Sequence, residues 1–285
     1  MSARPSSRVS WWLLVPGVAW LVVFFVAPLV QLFSVSLQSD YPGHPGYYYR
    51  DLAWHNYLDA VQAYPAQVAR SFGFAAAATI LCLLLAFPVA YTMVFKAGRW
   101  RGLLMVLVVA PFFTSFVLRT VAWRQILADD APLARMLSQL HLLPGGHLTD
   151  TGFAVVMGLT YNFLPFMLLP LYASLERADP ALVAAGSDLY ATPWQTFRMV
   201  TVPLAMPGVI AGILLTFIPA AGDYVNADLL GSDRGTSMVG NAIDAQFFRV
   251  LGGYPMAAAL SVVLMAFILV MVLAYVRRYG TEELM

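Results

Sequence analysis

The stretch LVAAGSDLYATPWQTFRMVTVPLAMPGVIAG, Leu182 to Gly212, sits between two long apolar runs. As far as Pro203 it carries serine, aspartate, glutamine, arginine, threonines and prolines, which is too polar for a bilayer crossing. Asp179-Pro180, just ahead, is a helix start signal: aspartate caps well, and proline suits the first helical position because its missing N–H would be unpaired there anyway. A short helix from Pro180 to about Tyr190 follows, with Leu182, Ala185 and Leu189 along one face. Thr192-Pro193-Trp194-Gln195 repeats the signal as a capping box. The second short helix presents Trp194, Phe197 and Val200 before Pro203 and Pro207 lead into the next apolar run. The pattern predicts two brief helices joined at a bend. Helices that lie on a membrane surface are usually rich in Lys and Arg on their polar face. Here Arg198 is the only basic residue, so a rigid knob for docking another protein is the better reading.

The rest of the chain fixes where such a knob would sit. Of the 285 residues 60% are hydrophobic and 11% charged, against about a quarter charged in soluble domains. A crossing of the hydrocarbon layer takes roughly 20 mainly apolar residues. Six candidate spans emerge: Trp11–Leu37, Ser71–Phe95, Gly102–Leu127, Gly152–Leu175, Pro207–Val225 and Met256–Val276. The fourth and fifth are weaker, carrying Asn162, Pro165, Pro170, Pro219 and Asp223. Run length argues for helices, since barrel strands would alternate over about 10 residues. The expectation is an all-α polytopic membrane protein, a single transmembrane domain over residues 1–285 with a loop at about 177–206 bearing the knob.

Charge suggests the orientation. With both termini on one side, that side holds nine basic and five acidic residues, net +4, and the other seven arginines and ten aspartates, net −3. Lys and Arg enrichment in short loops marks the cytoplasm, and KAGRWR and VRR cluster at span ends. Both termini and the knob are therefore expected to be cytoplasmic. The first run is read as an uncleaved span, because a secretory signal has a shorter core and a small-x-small cleavage site. The outer loops are aromatic: YPGHPGYYYRDLAWHNY reads as an interfacial belt and a small packed lid. All four histidines lie in outer loops, without metal-ligand spacing. Cys82 lies in an apolar run and reads as a small buried hydrophobe. No dense basic cluster points to nucleic acid, and the surrounding partner is lipid.

The opening stretch resembles the cytoplasmic signature loop, often called the EAA loop, of permease subunits in binding-protein-dependent ABC importers. Ala184-Ala185-Gly186 occupies the triplet position, Tyr190 the glycine position and Val202-Pro203 the Leu-Pro position. Asp188-Leu189, Pro193-Trp194, Thr196-Phe197 and Pro207-Gly208 also match. The triplet's acidic residue is alanine here, so a hold on the ATPase is expected to rest on shape and small-residue packing more than on charge. PFFTSFVLRTVAWRQIL, YNFLPFMLLPLYASLERADP, FIPAAGDYVNADLLG and MVGNAIDAQF are similar to stretches of the spermidine/putrescine-type permeases. The similarity runs from about residue 14 to 277 and favours the B-like partner of a permease pair. The resemblance implies a type I importer permease in the inner membrane, forming with a second permease the path for polyamines. An opine, aminophosphonate or other small solute is the alternative. It also implies two ATPase subunits and an extracytoplasmic binding protein. The docking surface would be Leu182, Ala184, Ala185, Gly186, Asp188, Leu189 and Tyr190.

The chain itself is not expected to be an enzyme or to bind a cofactor. Its only lysine, Lys96, follows no glycine-rich stretch, so the phosphate-cradling GxxxxGK[ST] loop is missing. ATP and Mg would be used by the partner ATPase. A polytopic membrane enzyme would need a nucleophile–base pair or metal ligands at membrane depth, and no span holds a histidine. A non-transporting scaffold is the other class left open. For the pathway, Asp223 comes first, because an intramembrane carboxylate usually faces an aqueous cavity or a partner charge. Tyr224 and Asp228 lie beside it, and Trp123 and Tyr161 could offer aromatic faces to an amine. The competing reading is that Asp223 pairs with Arg119 or Arg124, or caps its span.

Overall fold

A backbone in hydrocarbon must satisfy its own hydrogen bonds, and this chain does so with helices. The computed structural model describes residues 7–139, 147–178, 192–232 and 235–279. Among these residues five helices are long and apolar enough to cross a membrane: Leu14–Ser36, Pro65–Phe95, Gly152–Arg177, Pro193–Ala221 and Tyr254–Tyr275. A bent pair of helices is a sixth candidate. The chain divides into two units, Met1–Ala63 with Ile243–Ala266 and Tyr64–Ala242 with Phe267–Met285.

In the first unit, α1 (Ser7–Leu21) and α2 (Ala27–Ser36) join through a π-helical turn at Val22–Val26. Pro28 explains the wide turn. A proline ring crowds the carbonyl four residues back, here Phe24, and widening the turn relieves that clash. The aromatic loop then folds as an antiparallel hairpin, β1 (Gln38–Tyr41) with β2 (His44–Arg50), pairing Gln38 with Arg50 and Ser39 with Tyr49. Gly43 makes its turn at φ +79°, a conformation open to glycine at little cost. This hairpin is the one departure from an all-helical fold among the described residues. Helix α3 (His55–Ala63) is tied back by Asn56 Nδ2, which donates to the carbonyls of Ser36 and Gln38 at 2.9 Å each.

The second unit contains α4 (Pro65–Phe95), α5 (Arg101–Val109), α6 (Phe116–Leu127), α7 (Pro132–Gln139) and α8 (Gly152–Arg177). There follow α9 (Pro193–Thr196), α10 (Val202–Ala221) and α11 (Val225–Leu230). Helices α12 (Val239–Phe248) and α13 (Tyr254–Tyr279) divide between the units. The core is the mutual packing of α4, α8 and α10. Lipid tails are as apolar as leucine, so helices associate here by close van der Waals fit, which small residues allow. Helix α4 turns Ala75, Ala78, Cys82, Ala86 and Ala90 inward, all fully buried. Helix α10 contributes Gly208 and Gly212, one turn apart. A Cβ on Gly208 would lie 2.6 Å from the Pro170 carbonyl, and one on Gly212 2.6 Å from the Met167 sulfur.

Two segments differ from the sequence expectation. The run Gly102–Leu127 is not one continuous helix: Gly98–Phe113 and Phe116–Leu127 meet at 99°. Pro111 cannot give the backbone hydrogen bond that would continue α5, and the chain tightens to a 3-10 turn at Ala110–Phe113. Thr114 and Ser115 are then extended, with the Thr114 hydroxyl donating to the Pro111 carbonyl at 2.6 Å. At the other place, the second short helix of the expected knob is the first turn of a long one. Helix α9, a π turn at Phe197–Thr201 and α10 run on as Pro193–Ala221. Its start carries the capping box read from sequence: Gln195 N–H donates to Thr192 Oγ1 at 3.3 Å, and Thr192 N–H to Gln195 Oε1 at 2.8 Å.

Candidate functional site

Where α6, α8 and the α10–α11 elbow meet, the apolar core gives way to a buried polar layer. Thr120 on α6, Asn162 on α8 and Asn226 on α11 are almost wholly buried. Asn162 Nδ2 donates to Thr120 Oγ1 and to Asn226 Oδ1, both at 3.1 Å. The Thr120 hydroxyl also bonds back to the Phe116 carbonyl at 3.1 Å, the usual outlet for a threonine inside a helix. Gly158, one turn before Asn162, makes room: a Cβ there would sit 2.7 Å from Asn226 Oδ1. The layer is not closed on itself. Among the described residues Asn162 Oδ1 is buried with no hydrogen-bond partner, a state that costs roughly 1–3 kcal/mol unless something else answers it.

Asp223 sits at the rim of this layer, 8% exposed. Helix α10 ends at Ala221, and the Asp223 carboxylate turns back to accept the Asn226 N–H at 2.8 Å, opening α11. It therefore serves as a helix cap, and among the described residues no ion pair joins it to Arg119 or Arg124. The elbow is clamped from behind. A Cβ on Gly240 would lie 2.8 Å from the Gly222 carbonyl and 2.9 Å from that of Asp223. Asn241 Nδ2 donates to the Tyr224 carbonyl at 3.0 Å, and the Val239 N–H to Ser71 Oγ on α4 at 2.8 Å.

Of the other sequence-derived pathway residues, Trp123 and Tyr161 meet edge to face with ring centres 5.4 Å apart. Each lies beside the layer in sequence, Trp123 one turn after Thr120 and Tyr161 just before Asn162. Tyr224 is 47% exposed and Asp228 is exposed, so both stand outside the buried network. Sequence reasoning placed Asn226 beside Asp223 but did not single out Thr120 and Asn162 for the site. The available signal was a polar residue at the centre of an otherwise apolar stretch, as in LRTVAW and TYNFLP.

The docking residues Leu182, Ala184, Ala185, Gly186, Asp188, Leu189 and Tyr190 lie outside the described residues. Their flanks are firmly seated. At the end of α8, Glu176 pairs with Arg101, whose guanidinium also lies over the Tyr172 ring at 5.1 Å. On the far side Phe197 packs between Phe87, at 5.4 Å, and Trp194, at 5.6 Å.

Comparison with known proteins fits a bundle of membrane-spanning helices. Residues 6–279 match the family described as binding-protein-dependent transport system inner membrane component. The spermidine/putrescine transport system permease protein PotB of Haemophilus influenzae is 34% identical over 261 residues, covering 91% of this chain and 90% of that protein. Its namesake in Escherichia coli is 33% identical over 267 residues, covering 93% and 96%. The inner membrane ABC transporter permease protein YdcU of Escherichia coli is 34% identical over 229 residues, covering 76% and 72%. Among solved structures, a bacterial ABC transporter involved in import of the acidic polysaccharide alginate superposes with TM-score 0.67 at 18% identity, over 95% of this chain and 96% of that one. The MetNI methionine ABC transporter in inward-facing conformations gives TM-score 0.59 at 18% identity, over 77% and 95%. At that identity the likeness speaks for the fold alone, the type I importer permease fold. The chain belongs to the inner membrane components of binding-protein-dependent transport systems, as a permease subunit of an ABC importer.

Proposed function

We propose that this permease and a second, different permease subunit together form the path by which polyamines of the spermidine/putrescine kind enter the cell. Two separate ATPase subunits, using ATP and Mg, would drive it, and an extracytoplasmic binding protein would deliver the solute. The observation that carries this reading is the pair of PotB relatives, about one third identical over more than nine tenths of the chain. Both termini would face the cytoplasm, as the KAGRWR and VRR clusters suggest.

The polar layer suits the task. A protonated amine needs carboxylates, amide oxygens and aromatic faces to replace its water. Asp223 offers the carboxylate, Trp123 and Tyr161 the aromatic faces, and Tyr224 with Asp228 an exposed approach. In the alternating-access mechanism that goes with this family, the segment Leu182–Tyr190 seats on an ATPase subunit and carries its movement into the spans.

The test is uptake of labelled putrescine, spermidine and an opine into vesicles holding the whole complex. ATP-dependent accumulation of the two polyamines is the expected result, and accumulation of neither removes the polyamine assignment. A second reading keeps the permease role but exchanges the solute for an opine, aminophosphonate or other small molecule. The similarity to YdcU, whose name gives no solute, favours keeping it in the assay. For the docking segment, Leu189→Arg is expected to abolish solute-stimulated ATP hydrolysis while the spans remain folded. Full ATPase binding and uptake in that variant would displace the docking face.

A further inference from the structure

The bend in the third apolar run leaves a charge that nothing among the described residues answers. Arg119 lies on α6 just past the break and is only 8% exposed. Its Nε is sealed from solvent with no hydrogen-bond partner, and among the described residues no hydrogen bond or ion pair reaches the guanidinium. What covers it is aromatic: the guanidinium carbon lies 5.4 Å from the centre of the Phe112 ring and 5.7 Å from that of Phe116. Asp223, the acid expected from sequence to meet it, has turned to the Asn226 N–H instead.

A cation at membrane depth is costly enough that such residues pair or face water. Aromatic faces attract a guanidinium but accept none of its N–H groups. Arginine's planar fork is matched by a carboxylate, which takes two parallel N–H bonds. We propose that Arg119 is a carboxylate-binding site completed from outside this chain, by an aspartate or glutamate of the second permease subunit. This rests on the paired-permease reading above. The carboxylate is assigned to the protein rather than to the solute for a charge reason. A polyamine carries no carboxylate, and an unneutralised arginine beside the path would repel it. Phe112 and Phe116 then exclude water from the pair, which strengthens it.

The experiment uses the complete importer, with an affinity tag on this chain, and reads recovery of the second permease in detergent as well as uptake. Arg119→Glu is expected to lower that recovery by about thirtyfold or more, as breaking a buried pair does. Arg119→Lys, which keeps the charge but not the fork, should stay within about twofold to threefold. Each Asp and Glu of the second permease is then replaced in turn by Arg in the Arg119→Glu background. Restoration of recovery by one of these exchanges, with spermidine uptake still absent or present, supports the pair. Wild-type recovery in both Arg119→Glu and Arg119→Met overturns it. So does a failure of every exchange to restore recovery, or an Arg119→Lys change confined to the apparent KM for a carboxylate-bearing opine, which would move the carboxylate to the solute. Recovery is read without any solute, so failure of the polyamine reading leaves this result interpretable.

Discussion

Two stretches of the contact between α8 and its neighbours use glycine for opposite ends. At Gly208 and Gly212 the missing side chain lets α10 lie directly on the Pro170 carbonyl and the Met167 sulfur of α8. The result is a close seam whose one polar neighbour at Gly208 is answered within it: the Ser174 hydroxyl donates to the Leu204 carbonyl at 3.0 Å. At Gly158 the missing side chain instead admits the amide of Asn226 into a polar layer with Asn162 and Thr120. Around those two glycines the seam is complete within the described residues, whereas the layer has a bare acceptor on Asn162 and, near it, an unanswered guanidinium on Arg119. On the proposed function, stability and transport separate along the same helices, and substitutions should sort accordingly.

The hardest way to break that division is to fill the seam. Gly208→Leu forces α10 off α8, a displacement of backbone rather than of a flexible side chain, and should cost more than about 3 kcal/mol. The expected outcome is loss of folded protein in detergent; a wild-type melting temperature would show that the seam does not hold the bundle. Asn162→Leu removes the hub of the layer and leaves Asn226 Oδ1 only the long 3.4 Å contact of the Thr120 hydroxyl, for a loss of about 1–3 kcal/mol. A clearly lowered melting temperature with protein still recoverable is expected, and an unchanged one would mean that water already substitutes for the amide. Asp223→Asn is the sharpest probe. Asparagine caps a helix as well as aspartate does, so the fold should stand while uptake of a cationic solute falls about tenfold, the scale of one charge-assisted contact. Equal losses of folded protein and of uptake would instead make Asp223 a purely structural cap.

The same contrast explains what could be read from the sequence. Run length and polarity locate the long helices because an unpaired backbone in lipid is too costly for anything else, and the Thr192 box is legible because a cap is made by its own neighbours. Gly208-x-x-x-Gly212 is equally legible in the sequence as a close-packing signal. The elbow and the layer were not legible in detail. Asp223 could reach an arginine, water or a backbone N–H, and sequence does not rank such choices, since they depend on which helices happen to be adjacent. The break at Thr114–Ser115 was hidden for a related reason: Pro111 weakens the helix there, but many transmembrane prolines only kink it. Tyrosine-rich residues 47–49 signalled an interface and in fact form part of a strand, where aromatic side chains are also at home.

The π turn at Phe197–Thr201 sets an angle. Each residue of an α-helix advances the side-chain direction by about 100°, and a π turn spends one residue more on a single revolution. Everything ahead of it is therefore rotated by about that amount relative to an uninterrupted helix. Gly208 and Gly212 pin the azimuth of α10, so the surplus residue, and not the seam, decides which way Trp194 and Phe197 face. Phe197 reaches Phe87 and Tyr91 of α4, at 5.4 and 6.4 Å, on that bearing. A one-residue deletion within 197–201 would act as a rotary dial, swinging the entry to the span by more than a quarter turn while leaving the packed bundle below it in place.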